Sequence, residues 1–164
     1  MQKTLGVIGW SGSGKTTLIA SVLPLLRARG LRVAVIKHCH HPLEFDQPGK
    51  DSHRLRQAGA TEVMVLSPTG WAVFADVDRE PTLAEQLSHL SEVDLVLLEG
   101  QKRLALPKLE VYRSSVGKPP RYPDDPDIIA VACDQTLAAD RPVLDLNDAE
   151  AVADFVAAWA RAKN

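Results

Sequence analysis

The chain has 164 residues, 45% hydrophobic and 24% charged, with 19 Lys+Arg against 21 Asp+Glu for a net charge of −2. That balance fits one soluble domain with a proper core, and it excludes a disordered chain and a dedicated nucleic-acid binder, which would be basic. No apolar run approaches the roughly 18–20 residues of a membrane span. Met1-Gln2-Lys3-Thr4 leads straight into a strand-like segment rather than a signal peptide, and Cys39 and Cys133 are too few for a disulfide scaffold or a four-cysteine zinc site, so a cytoplasmic protein is expected.

Thr4-Leu5-Gly6-Val7-Ile8-Gly9 is a short apolar run ending in glycine, the pattern of a buried parallel strand. From Lys15 to Arg29, Leu18, Ile19, Val22, Leu25 and Leu26 fall at helical spacing, with Pro24 expected to kink or break the helix and Gly30 to stop it. Leu31-Arg32-Val33-Ala34-Val35-Ile36 is a second strand, completing a strand–helix–strand unit whose right-handed crossover makes the strands parallel. Residues 38–50 read as a loop, followed by a short helix from Asp51 to Ala58 closed by Gly59. Strands are predicted over 61–66 and, after a Pro68-Thr69-Gly70 turn, over 71–75, with Trp71 and Phe74 assigned to the core. Thr82-Leu83-Ala84-Glu85 has the form of a capping box and opens a helix to about His89.

Asp94-Leu95-Val96-Leu97-Leu98-Glu99-Gly100 is a strongly apolar strand with a carboxylate at its C-terminal end. The alternation in Lys108-Leu109-Glu110-Val111-Tyr112 predicts an edge strand. Residues 117–127, rich in Pro and Asp, read as a mobile loop. Residues 128–133 and 142–145 are further strands, and a last helix starts at Asn147 as N-cap, with Glu150 three residues on and Val152, Phe155, Val156 and Trp159 on one stripe. Alternating strands and helices give an α/β domain around a mostly parallel sheet.

Gly9-Trp10-Ser11-Gly12-Ser13-Gly14-Lys15-Thr16 matches the phosphate-loop pattern G-x-x-x-x-G-K-[ST] at every fixed position, between a predicted strand and a predicted helix. The expectation is therefore a three-layer P-loop NTPase fold in one domain over residues 1–164. Gly12, Ser13 and Gly14 would aim backbone N–H groups at phosphates, Lys15 would reach the β/γ-phosphates, Thr16 would place its hydroxyl on Mg²⁺, and Thr17 is a candidate for the α-phosphate. Glu99, at the carboxyl end of a strand, is the candidate second anchor for Mg²⁺ or for an attacking water, against the plainer reading of a solvated strand-end carboxylate. Gly100 could offer an N–H to the γ-phosphate.

Three of the five histidines fall in Lys37-His38-Cys39-His40-His41, ahead of Asp46 and Lys50-Asp51. Three readings stand: a nucleotide-responsive switch with Asp46 or Asp51 near Mg²⁺ and Lys37 or Lys50 near phosphate; a transition-metal site, for which the adjacent spacing is poor; or a polar loop with Asp51 capping a helix. No Asn-Lys-x-Asp base motif is present. Asp134, after the strand at 128–133, could accept both N1–H and N2–H of guanine, or could serve only as a turn residue.

The phosphate loop at 9–17, Ile36-Lys37-His38 with His40-His41, Asp46, Pro48-Gly49-Lys50-Asp51-Ser52, Leu97-Leu98-Glu99-Gly100-x-Lys102 and Pro107-Lys108-Leu109-Glu110-Val111 together resemble the MobB family of molybdopterin-guanine dinucleotide biosynthesis adaptors. The similarity runs from about residue 5 to 113, and more loosely to 134. The resemblance implies a homodimeric, weakly hydrolytic GTP-binding protein, related to metal-insertion GTPases, which assists a MobA-type guanylyltransferase. It implies GTP and Mg²⁺ as ligands, with Gly12 to Thr17 on the phosphates, Thr16 and Glu99 serving Mg²⁺ and the 38–51 loop near the γ-phosphate or cofactor; Lys15 and Glu99 are the catalytic candidates. Two other functions compete: a small-molecule kinase with residues 113–127 as lid, carrying Arg113, Lys118 and Arg121, and a nucleotide-switched carrier of metal or pterin.

Overall fold

The computed structural model describes residues 2–39 and 46–162. In chain order its elements are β1 (Lys3–Ile8), α1 (Lys15–Ala28), β2 (Val33–Lys37), α2 (Asp51–Gln57), β3 (Glu62–Ser67), β4 (Gly70–Ala75), α3 (Leu83–Ser88), β5 (Leu95–Glu99), β6 (Lys108–Tyr112), β7 (Ile128–Cys133), β8 (Val143–Asp145) and α4 (Ala149–Arg161). The chain divides into two compact units, residues 1–38 with 90–164, and residues 39–89.

The first unit is a six-stranded sheet in the order β2-β5-β1-β6-β7-β8, parallel at every pairing. All six strands therefore end on one edge, where ligands of open α/β sheets bind. Successive side chains of a strand alternate between faces, and the two faces are covered differently. One carries Leu5, Val7, Leu97, Leu109 and Val111, and packs beneath Leu18, Val22 and Leu26 of α1 and Val152 and Val156 of α4. Each fully buried leucine contributes about 1.5–3 kcal/mol there. α1 continues past Pro24, from Lys15 to Ala28, so the proline does not break the helix. On the opposite face Ile8, Ile128, Val131 and Cys133 pack against Tyr122 and Leu137, from the segments that follow β6 and β7. This is the P-loop NTPase type of α/β fold.

In this unit the strand reading of β6 and the cap of α4 change. β6 is no edge strand; it lies between β1 and β7. Its alternation is genuine, but the polar face is buried rather than wet. Lys108 Nζ pairs with the Asp125 carboxylate at 2.9 Å, and Glu110 accepts the backbone N–H groups of Arg121 (2.7 Å) and Tyr122 (2.9 Å). Residues 117–127 are irregular, as expected, and these same bonds attach the segment at Arg121, Tyr122 and Asp125. Finally, α4 is capped by Asp148, which accepts the Ala151 N–H at 3.0 Å, while Asn147 turns its amide to Asp145.

The second unit holds α2, α3 and the antiparallel hairpin β3–β4, a sheet of its own. Thr82 and Glu85 form the predicted capping box. Cross-strand partners share a face, and Val63, opposite Phe74, is buried. Met64, Leu66, Trp71 and Val73 form the other face and are exposed, Leu66 by 70% and Trp71 by 60%. Trp71 is thus not a core residue. Among the described residues no helix is long and apolar enough to cross a membrane.

Candidate functional site

The phosphate loop leaves the sheet at the end of β1. Gly9 is required there by close approach: a Cβ would lie 2.3 Å from the Val111 carbonyl oxygen and 2.7 Å from Ser13 Oγ, at φ +148°. Gly14, at φ +96°, is the N-cap of α1, and no side chain caps the helix. The first-turn N–H groups, those of Lys15, Thr16 and Thr17, have no intrahelical partner, and the positive end of the helix dipole adds to them. No acidic residue stands in that turn to compete with a phosphate. Ser13 is buried, and its N–H donates to the Trp10 carbonyl at 3.2 Å within the loop.

Lys15 folds back over the loop and donates to the carbonyls of Gly9 (3.0 Å) and Trp10 (2.9 Å). Burial holds its pKa below the ordinary lysine value; Glu99 opposes that shift, and the cationic Lys37 and Lys102 add to it. A lysine so held gains a better partner when an anion enters.

The second anchor is in place. Glu99 ends β5, and the parallel register sets Lys37, the last residue of β2, directly beside it. The Thr16 hydroxyl donates to Glu99 Oε1 at 2.6 Å, and Lys37 Nζ donates to both Glu99 oxygens at 3.0 and 3.2 Å and to Thr16 Oγ1 at 3.1 Å. Hydroxyl and carboxylate are the hard oxygen donors that Mg²⁺ takes, and they already surround a cationic nitrogen, so these residues fit the ion. Gly100 turns in the left-handed region at φ +96° and its N–H donates to the Val7 carbonyl at 3.2 Å. His38 follows β2, its N–H on the Glu99 carbonyl at 3.0 Å.

Two more groups rise at the same edge. Asp134 follows β7; its Oδ1 accepts the Ser114 N–H at 3.1 Å and its Oδ2 lies 3.6 Å from Arg113 Nη1. The Arg113 guanidinium also reaches the Ser13 carbonyl at 3.4 Å. Trp10 donates its indole N–H to the Pro119 carbonyl at 2.8 Å, and both Lys102 and Arg121 stand over its ring. Only the kinase alternative gave Arg113 and Arg121 a role, on a lid; here they stand against Ser13 and Trp10 of the phosphate loop. The overlooked signal is that Arg113 directly follows β6; with β6 placed next to β1, Arg113 lands there.

Asp46, Lys50 and Asp51 belong to the second unit. Asp46 is buried and accepts the Ser52 hydroxyl at 2.7 Å and an Arg56 N–H at 3.4 Å, and Arg56 also pairs with Asp76. Lys50 is the N-cap residue of α2, and Asp51 is exposed, 3.7 Å from Arg54. His40 and His41 lie outside the described residues. Among the described residues no three His, Cys, Asp or Glu side chains cluster as a metal site.

The family model described as "Molybdopterin guanine dinucleotide synthesis protein B" matches residues 4–134. The chain is 41% identical to the molybdopterin-guanine dinucleotide biosynthesis adapter protein of Escherichia coli strain K12, over 98% of this chain and 94% of the relative. It is 40% identical to the adapter protein of the same name from Haemophilus influenzae, over 94% of this chain and 88% of that one. A crystal structure of molybdopterin-guanine biosynthesis protein B superposes with a TM-score of 0.77 at 31% identity, covering 95% of this chain and 99% of that chain. With the phosphate loop, the Thr16–Glu99 pair and the parallel sheet in agreement, the chain belongs to the molybdopterin guanine dinucleotide synthesis protein B (MobB) family.

Proposed function

We propose that the chain is an adapter in molybdopterin guanine dinucleotide formation which binds GTP with Mg²⁺ at the phosphate loop and assists a MobA-type guanylyltransferase in the cytoplasm. The observation that carries this reading is the convergence of the Thr16 hydroxyl and the Glu99 carboxylate beside the uncapped start of α1. Gly12, Ser13 and Gly14 with the first turn of α1 hold the phosphates, Lys15 meets them as a cation, and Thr16 with Glu99 hold Mg²⁺, which would supply charge neutralisation. Thr17 completes the phosphate contacts; the Gly100 N–H would join them only by leaving the Val7 carbonyl. Asp134 stands at the correct edge of the sheet to accept guanine, an exchange that would release it from Ser114 and Arg113. Hydrolysis at this site is weak and secondary to binding.

The reading includes a homodimer. A two-stranded hairpin is marginally stable alone, and the apolar face of Met64, Leu66, Trp71 and Val73 is unsatisfied in a single chain. The same face on a second copy supplies a self-complementary cover of matching chemistry.

Calorimetric titration of the nucleotide-free protein with GTP and with ATP, each with Mg²⁺, tests the reading. GTP binding about tenfold or more tighter than ATP is expected. Tighter ATP binding would overturn it and bring the small-molecule kinase forward.

A further inference from the structure

Lys37 has a role the proposed function leaves unexplained. Its ammonium sits about equally close to three oxygens: both of Glu99 at 3.0 and 3.2 Å and Thr16 Oγ1 at 3.1 Å. A simple strand-end ion pair would explain the two carboxylate contacts. It would not explain the third, to the hydroxyl that a phosphate loop gives to its metal. Backbone register fixes the arrangement, since Lys37 and Glu99 are the paired last residues of β2 and β5. The two partners are also unequal. The Lys37 side chain is 51% exposed, that of Glu99 10%. The ammonium can swing out to water at small cost, whereas the carboxylate cannot follow and stays in need of a cation.

We propose that Lys37 is a built-in counter-cation that keeps the Thr16–Glu99 pair closed to divalent metal until a nucleotide polyphosphate arrives, and that its ammonium then moves to the phosphate oxygens. The proposal rests on the Mg²⁺–nucleotide reading above. Two cations compete for one carboxylate, so metal alone meets an occupied pair. A polyphosphate brings negative charge that gives the ammonium a second partner, and metal and nucleotide then bind cooperatively. By linkage, each raises the affinity of the other by the same factor.

The test uses Mn²⁺ as a spin-resonance probe for the divalent ion, with nucleotide-free full-length chain, and compares wild type with Lys37→Met, Lys37→Gln and the Lys37→Met/Glu99→Gln double variant. Wild type should bind Mn²⁺ alone weakly and about tenfold more tightly with GTP present. Lys37→Met and Lys37→Gln should each bind Mn²⁺ alone roughly fivefold or more tighter than wild type, with the GTP effect reduced. The double variant should lose that gain, which places it at Glu99. Circular dichroism confirms folding, and if Lys37→Met is unfolded, Lys37→Gln, whose amide still donates to Glu99, carries the comparison. Equal or weaker Mn²⁺ binding by the folded single variants overturns the proposal, as does a wild type that binds GTP without any effect on Mn²⁺. Failure of wild type to bind GTP at all would sink the functional reading instead, and the Mn²⁺-alone comparison would still judge Lys37.

Discussion

Thr16 donates its hydroxyl proton to Glu99 Oε1 at 2.6 Å across 83 residues of chain, joining the first turn of α1 to the end of β5. The bond sets two oxygen donors side by side. Replacing either partner should therefore affect metal-assisted binding selectively. Thr16→Ala and Glu99→Gln are each expected to weaken GTP binding in Mg²⁺ by about tenfold or more, with little change in EDTA. Titration calorimetry in both buffers checks this; an equal loss in both would mean that the pair shapes the loop rather than holding metal.

Gly9 should tolerate no side chain. A Cβ would sit 2.3 Å from a backbone oxygen of β6, which has no rotamer to escape into, and φ +148° strains any L-residue. Gly9→Ala should cost about 2–5 kcal/mol of stability and abolish nucleotide binding. Thermal denaturation gives the first number, and a melting point within about a degree of wild type would contradict it.

Glu110 makes a pH-dependent contribution. Burial raises its pKa above the ordinary value of 4.5, although the Arg121 and Tyr122 N–H groups favour the charged form. The folded state thus holds this proton more tightly than the unfolded one. The stabilisation is full below pH 4.5 and is lost as pH rises through the higher folded value. Glu110→Gln should remove that slope from chemical-denaturation curves measured across pH. It should also lower stability by about 1–3 kcal/mol, because the two N–H groups meet different carboxylate oxygens and one would face the amide NH2 instead. Faster hydrogen exchange at Arg121 and Tyr122 should accompany it.

The hairpin face can be tested without touching the phosphate loop. Leu66→Ser with Trp71→Ser should convert a dimer to a monomer in sedimentation equilibrium, because two large exposed apolar groups leave the face. Nucleotide affinity per chain should stay within about twofold. A wild type that sediments as a monomer would end the dimer reading.

Local patterns were readable in the sequence and long-range partnerships were not. The apolar runs at 95–99 and 128–133, the phosphate loop and the Thr82–Glu85 capping box each depend on residues within a turn or a strand, so spacing sufficed. Lys108 and Glu110 made β6 resemble an edge because their partners lie 11 to 17 residues further along. At α4, two adjacent residues could both cap, and Asp145 decides the choice by engaging Asn147. Nothing in the composition distinguishes Trp71, on an open face, from Trp159, packed against the core. Glu99 was legible because a carboxylate ends an apolar strand; that Lys37 stands beside it depends on strand order.

Trp10 gives the protein an optical readout of its own. The indole is fastened at its N–H to Pro119 and overlain by two cations, one after β5 and one in the segment anchored by Glu110. Any ligand that draws Lys102 or Arg121 toward itself alters the charge over the ring, and with it the emission colour and yield. Of the three tryptophans, one thus watches the phosphate loop, Trp71 the hairpin face and Trp159 the helix-covered core, so substituting two of them with phenylalanine would leave a label-free reporter for each region.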